Sequence, residues 1–124
     1  MRRPPVAVLG DVMTDVVARI ARPLAPASDT PARIAMRPGG SAANTAAWLG
    51  ALGAPAAFVG CVGDDDAGRL ALEALREHGV TPLVTVAPGA VTGACVVLVD
   101  AAGERTMLPD AGANALLRPA DLPR

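Results

Sequence analysis

Two short runs, Val6-Ala7-Val8-Leu9 and Ala56-Ala57-Phe58-Val59-Gly60-Cys61-Val62, are apolar at nearly every position. Runs this short that do not alternate read as strands buried on both faces. Segments of a different period stand between and after them. Ser41 to Leu52 is Ala-rich and free of Pro, which predicts a helix, and Gly53 stands where a left-handed residue closes one. Ala67, Leu70, Ala71, Ala74, Leu75 and His78 recur at i, i+3, i+4, i+7, i+8 and i+11, the spacing of one helical face. Asp64, Asp65 and Asp66 supply an N-cap and negative charge at the positive end of that helix, from Asp65 to His78, and Gly79 ends it. Thr81 to Val86 and Ala94 to Val99 read as further strands. Strand, helix, strand, helix, strand is the order of an α/β fold, a parallel sheet with helices flanking it.

Other strands read as less buried. Val16 to Leu24 is apolar with Arg19 and Arg22 interleaved, which suggests one wet face. Pro23, Pro26 and Pro31 break the chain, and Ala32 to Met36 returns as a short strand. Asp100-Ala101-Ala102-Gly103 is a turn, so Ala94 to Leu108 reads as a hairpin with Glu104-Arg105 at its tip. These pieces, near 16–36 and 81–108, are expected to form a small appended sheet within a single domain spanning 1–124. Pro119-Ala120-Asp121-Leu122 resembles a helix start close to Arg124, so the domain reads as unfinished.

Composition excludes several kinds of chemistry. All 11 Lys and Arg positions are Arg, so the chain holds no Walker-A lysine, Schiff-base lysine or Ser-Lys dyad. The positive charges do not cluster in sequence, and Trp48 and Phe58 are the only aromatics, which argues against a nucleic-acid partner. Cys61 and Cys95 lie inside apolar runs and read as buried small hydrophobes. His78, the one histidine, reads as a C-terminal helix residue; no zinc cluster is expected. The three consecutive acids read as a cap ahead of a metal site. Met1-Arg2-Arg3-Pro4-Pro5 is charged like a leader, but the apolar run behind it is too short for a signal peptide. No run is long enough to span a membrane, and a cytoplasmic setting is the expectation.

Gly39-Gly40-Ser41-Ala42-Ala43-Asn44 leads directly into the first helix. Adjacent glycines let a ligand approach the main chain, the helix start offers N–H groups, and Asn44 both donates and accepts. Such a set suits a polyhydroxylated small molecule. Read locally, a plain flexible turn serves as well and is slightly favoured. A dinucleotide fingerprint is excluded, since no G-x-G-x-x-G occurs.

The run Gly39 to Ala46, followed by Gly53 and Gly63, resembles the first signature of the ribokinase-like (PfkB) carbohydrate kinases at every fixed position. Four further pieces fall in the family's order: Val8-Leu9-Gly10 with Asp15, Val62-Gly63-Asp64-Asp65 with Gly68, Thr92-Gly93 before a strand, and Asp110-Ala111-Gly112-Ala113-Asn114. The resemblance covers roughly Val6 to Leu122. It implies a Rossmann-like core with a small β-sheet lid, and transfer of the γ-phosphoryl of ATP, with Mg²⁺, to a hydroxyl of a sugar or nucleoside. It further implies that Asp15 holds substrate hydroxyls, that Gly39 and Gly40 form a hinge against the substrate, and that Asn44 hydrogen-bonds it. Asp11, at the same strand end, is a weaker candidate, with a loop cap as its other reading. A homodimer paired through the lid is a further possibility.

The sequence departs from the family pattern in three places. Met13 and Ser41 stand where ribokinases usually have Asn and Lys, which leaves fructose-like, keto-deoxy-sugar and nucleoside substrates open. The catalytic Gly-Ala-Gly-Asp motif does not occur, and Gly112-Ala113-Asn114 does not substitute for it. Family chains are more than twice this length. The expectation is therefore the substrate-binding half of a sugar kinase, inactive alone; the alternative is a remnant or module that binds a sugar without phosphorylating it. Arg105 reads as a solvated tip residue that could reach a substrate under a closed lid, and Asp110 and Asn114 as turn residues at least as much as ligand contacts.

Overall fold

The computed structural model describes residues 4–124. The charged start at Met1 to Arg3 lies outside the described residues. Seven strands and two α-helices follow one another: β1 (Val6–Leu9), β2 (Met13–Ile20), β3 (Ala32–Gly39), α1 (Ser41–Ala51), β4 (Ala56–Gly63), α2 (Asp66–Glu77), β5 (Val80–Ala87), β6 (Ala94–Val99) and β7 (Arg105–Asp110). Two 3₁₀ turns, Gly112–Leu116 and Pro119–Asp121, end the chain. The strands make two sheets. β1, β4 and β5 are parallel in the order β1-β4-β5; β3-β2-β6-β7 is a mixed sheet in which β2 and β6 run parallel and the outer pairs antiparallel.

β4 is the centre of the core, and all eight of its residues are buried. Alternation sends Ala56, Phe58 and Val62 to one face, where they pack with Ala43 and Ala46 of α1 and Ala71 and Leu75 of α2. Both α-helices therefore lie on the same face of the parallel sheet. Phe58 is fully buried there; burying a Phe side chain contributes about 1.5–3 kcal/mol. Ala57, Val59 and Cys61 point to the opposite face, where Leu116, Arg118 and Asp121 meet the Cys61 end.

Several sequence expectations change here. β1 is a strand, but it is not buried on both faces: it lies at the sheet edge, with Val6 48% and Leu9 55% exposed. β5 does not join the appended sheet. It follows the α2 crossover and pairs with β4 from Ala56↔Val80 to Gly63↔Ala87, so the later strands of the second sheet begin at Ala94. β2 starts at Met13 and ends at Ile20, short of Arg22 and Leu24, while β3 runs on to Gly39. Arg105 is the first residue of β7, paired with Val99, and the hairpin tip lies at Ala101–Gly103. The buried stripe of α2 is centred on Gly68, Ala71 and Leu75, with Leu70 and His78 exposed. At Gly68 a Cβ would fall 2.5 Å from the Gly63 carbonyl oxygen and 2.9 Å from Thr92 Oγ1, so only glycine lets the helix start sit this close to the end of β4.

The α2 cap is as the sequence predicts. Asp65 is extended (φ −141°, ψ 170°), and its Oδ1 accepts from the Gly68 N–H at 2.8 Å. Its carboxylate also accepts from the Thr92 N–H (2.9 Å) and the Thr92 hydroxyl (2.6 Å), and Thr92 Oγ1 accepts from the Gly63 N–H at 3.0 Å. Two side chains, Asp65 and Thr92, thus join β4, α2 and the loop into β6.

Candidate functional site at the junction of the two sheets

The chain passes between the sheets at 10–12, at Gly40, at 88–93 and after Asp110. These passages are tied together. The Thr14 N–H donates to the Gly93 carbonyl (2.9 Å) and the Ala113 N–H to the Val91 carbonyl (2.8 Å). Asn114 Oδ1 accepts from the Val12 N–H at 3.0 Å, while its Nδ2 donates to the carbonyls of Val12 and Ala111, each at 2.9 Å.

Gly40 caps α1 at φ 95°, ψ 130°, a conformation that favours glycine. A Cβ there would also fall 2.7 Å from the Asp11 carbonyl oxygen. The start of α1 does not offer all its N–H groups to a ligand. Asp11 Oδ1 accepts from the Ala42 N–H, and the Asp11 carbonyl accepts from the Ala43 N–H, both at 3.1 Å. Asp11 is a helix cap supplied from the β1–β2 passage, 31 residues away in sequence.

Asp15 lies on β2, half-buried, directly opposite Arg37 on β3 and Cys95 on β6. Its carboxyl group presses against the Cα of Gly39, where a Cβ would overlap all three carboxyl atoms. Burial, and then the charge of Asp11, raise its pKa above the ordinary 3.8; no hydrogen-bond donor among the described residues counters them. This is a carboxylate held near a second acid with its acceptor capacity unfilled by the described residues.

The junction therefore brings Asp11, Asp15, Gly39 and Gly40 together. Asn44 lies one turn into α1, exposed, in a groove lined by Val12, Pro38, Gly39, Ala43 and His78; Asp15 does not line that groove. Gly39 is the link between the two.

The other candidates resolve into local roles. Asp66 is exposed and within 3.6 Å of Arg69, consistent with the cap reading of the three acids. Asp110 Oδ1 accepts from the Gly112 N–H at 3.0 Å, a turn. His78 Nδ1 bonds the Ala74 carbonyl at the end of α2. Cys61 and Cys95 are free and buried. Among the described residues no group of three His, Cys, Asp or Glu side chains is placed to hold a metal ion. The Asn114 clamp and the Asp65–Thr92 pair were not visible in the sequence as contacts; their partners lie 102 and 27 residues away.

The pfkB family carbohydrate kinase model matches residues 4–123. The aminoimidazole riboside kinase of Salmonella typhimurium is 37% identical over 89 residues, which cover 69% of this chain and 28% of that protein. The structure of ribokinase from Giardia lamblia superposes with a TM-score of 0.88 at 27% identity, covering 96% of this chain and 37% of that one. Ribokinase of Arabidopsis thaliana, solved with ribose and ATP, gives 0.80 at 32% identity, covering 91% of this chain and 38% of that one. The chain thus spans less than two-fifths of each of these relatives. With the signature glycines at the sheet junction and the same two-sheet fold, the chain belongs to the pfkB family of carbohydrate kinases.

Proposed function

We propose that this chain forms the substrate-binding part of an ATP-dependent kinase that phosphorylates a hydroxyl of a sugar or a related polyol or nucleoside. The observation that carries the reading is Asp15: a half-buried carboxylate against Gly39, with no donor among the described residues satisfying it. Two sugar hydroxyls would donate to it. Gly39 and Gly40 let the sugar ring approach the backbone, and Asn44 contributes a donor and an acceptor from the adjoining groove. Asp11 acts mainly by fixing α1 against the β1–β2 passage, and supports the site from behind. The mixed sheet serves as a lid, and its exposed apolar residues Ile34, Met36 and Leu108 favour pairing with a second copy.

ATP and Mg²⁺ would be held by residues outside these 124, together with the base that activates the hydroxyl. Phosphoryl transfer depends on positioning the phosphates, and this chain lacks the Gly-Ala-Gly-Asp motif expected to do it. Purified 1–124 should therefore release no ADP from ATP, Mg²⁺ and a panel of sugars, while binding at least one of them in calorimetry. Sugar-dependent ADP release at ordinary enzyme rates would overturn this division of labour. An in-frame continuation past codon 124 encoding Gly-Ala-Gly-Asp would support the kinase, and a stop codon there the sugar-binding module without activity.

A further inference from the structure

Between Arg37 and Asp64 the chain carries no charged side chain, and α1 lies wholly inside that stretch. A helix on a protein surface normally turns charged residues to water, while a helix apolar all round is buried. α2 follows the first pattern: Asp66, Arg69, Glu73, Arg76 and Glu77 are all exposed. α1 follows neither. It turns Trp48 outward and, at its C-cap four residues on, Leu52, 70% and 77% exposed. Residues four apart on a helix are neighbours, so the two form one patch.

Beside Trp48 the surface is concave. Arg37, Pro38, Asn44, Ala47, Ala51 and His78 line a groove of which Trp48 is itself one wall. The groove continues inward between the two helices, over Ala43 and Ala74. One polar group in it has a fixed sense. His78 Nδ1 lies 2.8 Å from the Ala74 carbonyl, which can only accept, so Nδ1 carries a proton and donates. The neutral ring then presents Nε2 as an acceptor. The indole N–H of Trp48 is a donor only. Knob and socket, donor and acceptor, thus lie side by side on one face. A two-fold contact requires this, because it joins the same patch on both copies.

We infer that the outer face of α1 is a self-association surface: two copies of this chain pair about a two-fold axis, each Trp48 seated in the other's groove, with its indole N–H donated to the other's His78 Nε2. Tryptophan joins a large apolar body to a polar tip and is enriched at the centre of interfaces. A membrane surface fits less well, since an interfacial helix carries Lys or Arg on its polar face and α1 has neither. The contact is separate from pairing through the mixed sheet, and a chain using both grows past a dimer.

Trp48 is the chain's one tryptophan, so its emission reports on this face alone. In sedimentation velocity of the 124-residue chain the mass should rise with concentration, and the Trp48 emission maximum should move to shorter wavelength over the same range. Ala51→Arg and Leu52→Glu change exposed positions and keep the reporter. Each should weaken association by about tenfold or more and leave Trp48 emitting as a solvated indole. His78→Ala removes the acceptor and should weaken association by about threefold or more. Ile34→Asp/Met36→Asp should leave the Trp48 shift in place. Circular dichroism verifies the fold of each variant. Emission that does not change with concentration overturns the inference, even if the chain associates, since another surface then makes the contact. A shift that survives in both Ala51→Arg and Leu52→Glu overturns it too, as does unchanged association of His78→Ala or a shift seen only on adding anionic lipid vesicles. A longer chain, extended past Arg124, that shields Trp48 while monomeric identifies its own later residues as the occupant and likewise overturns it.

Discussion

Asp65 and Asp15 titrate in opposite directions. Asp65 accepts hydrogen bonds from the Thr92 hydroxyl, the Thr92 N–H and the Gly68 N–H, and these hold its pKa below 3.8 despite partial burial. Its contribution to stability is present above the unfolded value of 3.8 and is lost as pH falls through the lowered folded value. Asp65→Asn should flatten the acid limb of a plot of urea midpoint against pH, and at neutral pH should cost about 0.5–2 kcal/mol, the range for losing a helix cap. An acid limb as steep as wild type would remove Asp65 from this role. Asp15 has the reverse sign. Its pKa is raised by burial and by Asp11, so its contribution falls as pH rises from 3.8 through the raised value. Asp15→Asn should raise the neutral-pH melting midpoint. Under the proposed kinase function it should also lower kcat/KM for the sugar by about tenfold to several hundredfold, because charge-assisted hydrogen bonds contribute roughly 1.5–3 kcal/mol each. The KM for ATP should stay near wild type. Full sugar turnover by Asp15→Asn would show that the carboxylate is not the hydroxyl acceptor.

At the level of elements, Asn114 joins what the chain separates most. Its side chain serves both polar groups of the Val12 peptide and the Ala111 carbonyl, fixing the β1–β2 passage to the segment after β7. Asn114→Ala leaves the Val12 N–H and carbonyl without these partners, and a partly buried polar group left unpaired costs about 1–3 kcal/mol. Asn114→Asp keeps the acceptor but sets a carboxylate oxygen against the Val12 and Ala111 carbonyl oxygens, so its melting midpoint should fall at least as far as that of Asn114→Ala; a wild-type midpoint in either variant would argue against the clamp. The sequence carried no trace of this contact, because an Asn in a Gly-Ala-Asn turn is as well explained by the turn itself. Where local pattern decides the outcome, reading it worked. β4 is apolar at every position because both its faces are covered, and Asp65 precedes an amphipathic run because a helix start needs an acceptor. Where partners decide, it did not. Thr81 to Val86 reads as a strand near the hairpin that follows it, which puts it in the appended sheet, yet the α2 crossover places it beside β4. At the junction the glycines were legible, but the capture of the Ala42 and Ala43 N–H groups by Asp11 was not, since nothing in the spacing ties residue 11 to residue 42.

At the scale of the whole molecule, the distribution of apolar surface predicts how the chain behaves alone. Parallel sheets are normally covered on both faces. Here both α-helices sit on one face, and the C-terminal turns meet the other over β4, leaving the flanking strands β1 and β5 more open. Leu9 and Leu83 lie in register on either side of Val59 on that second face, 55% and 43% exposed, with Val59 itself buried between them. The mixed sheet adds Ile34, Met36, Met107 and Leu108, all exposed. Contiguous apolar patches above a few hundred Å² are uncommon on monomers and drive association. The 124-residue chain should therefore self-associate in sedimentation velocity, with a weight-average mass that rises with concentration. The two surfaces can be told apart by substitution. Leu9→Asp/Leu83→Asp should reduce association if the parallel sheet is the contact, and Ile34→Asp/Met36→Asp if the mixed sheet is. Each pair is surface-exposed, so the fold should survive in either variant, as circular dichroism would verify. A strictly monomeric chain with a sharp melt across the concentration range would show that exposed apolar residues on the edge strands and the mixed sheet are tolerated in water, and the argument from uncovered area would fail.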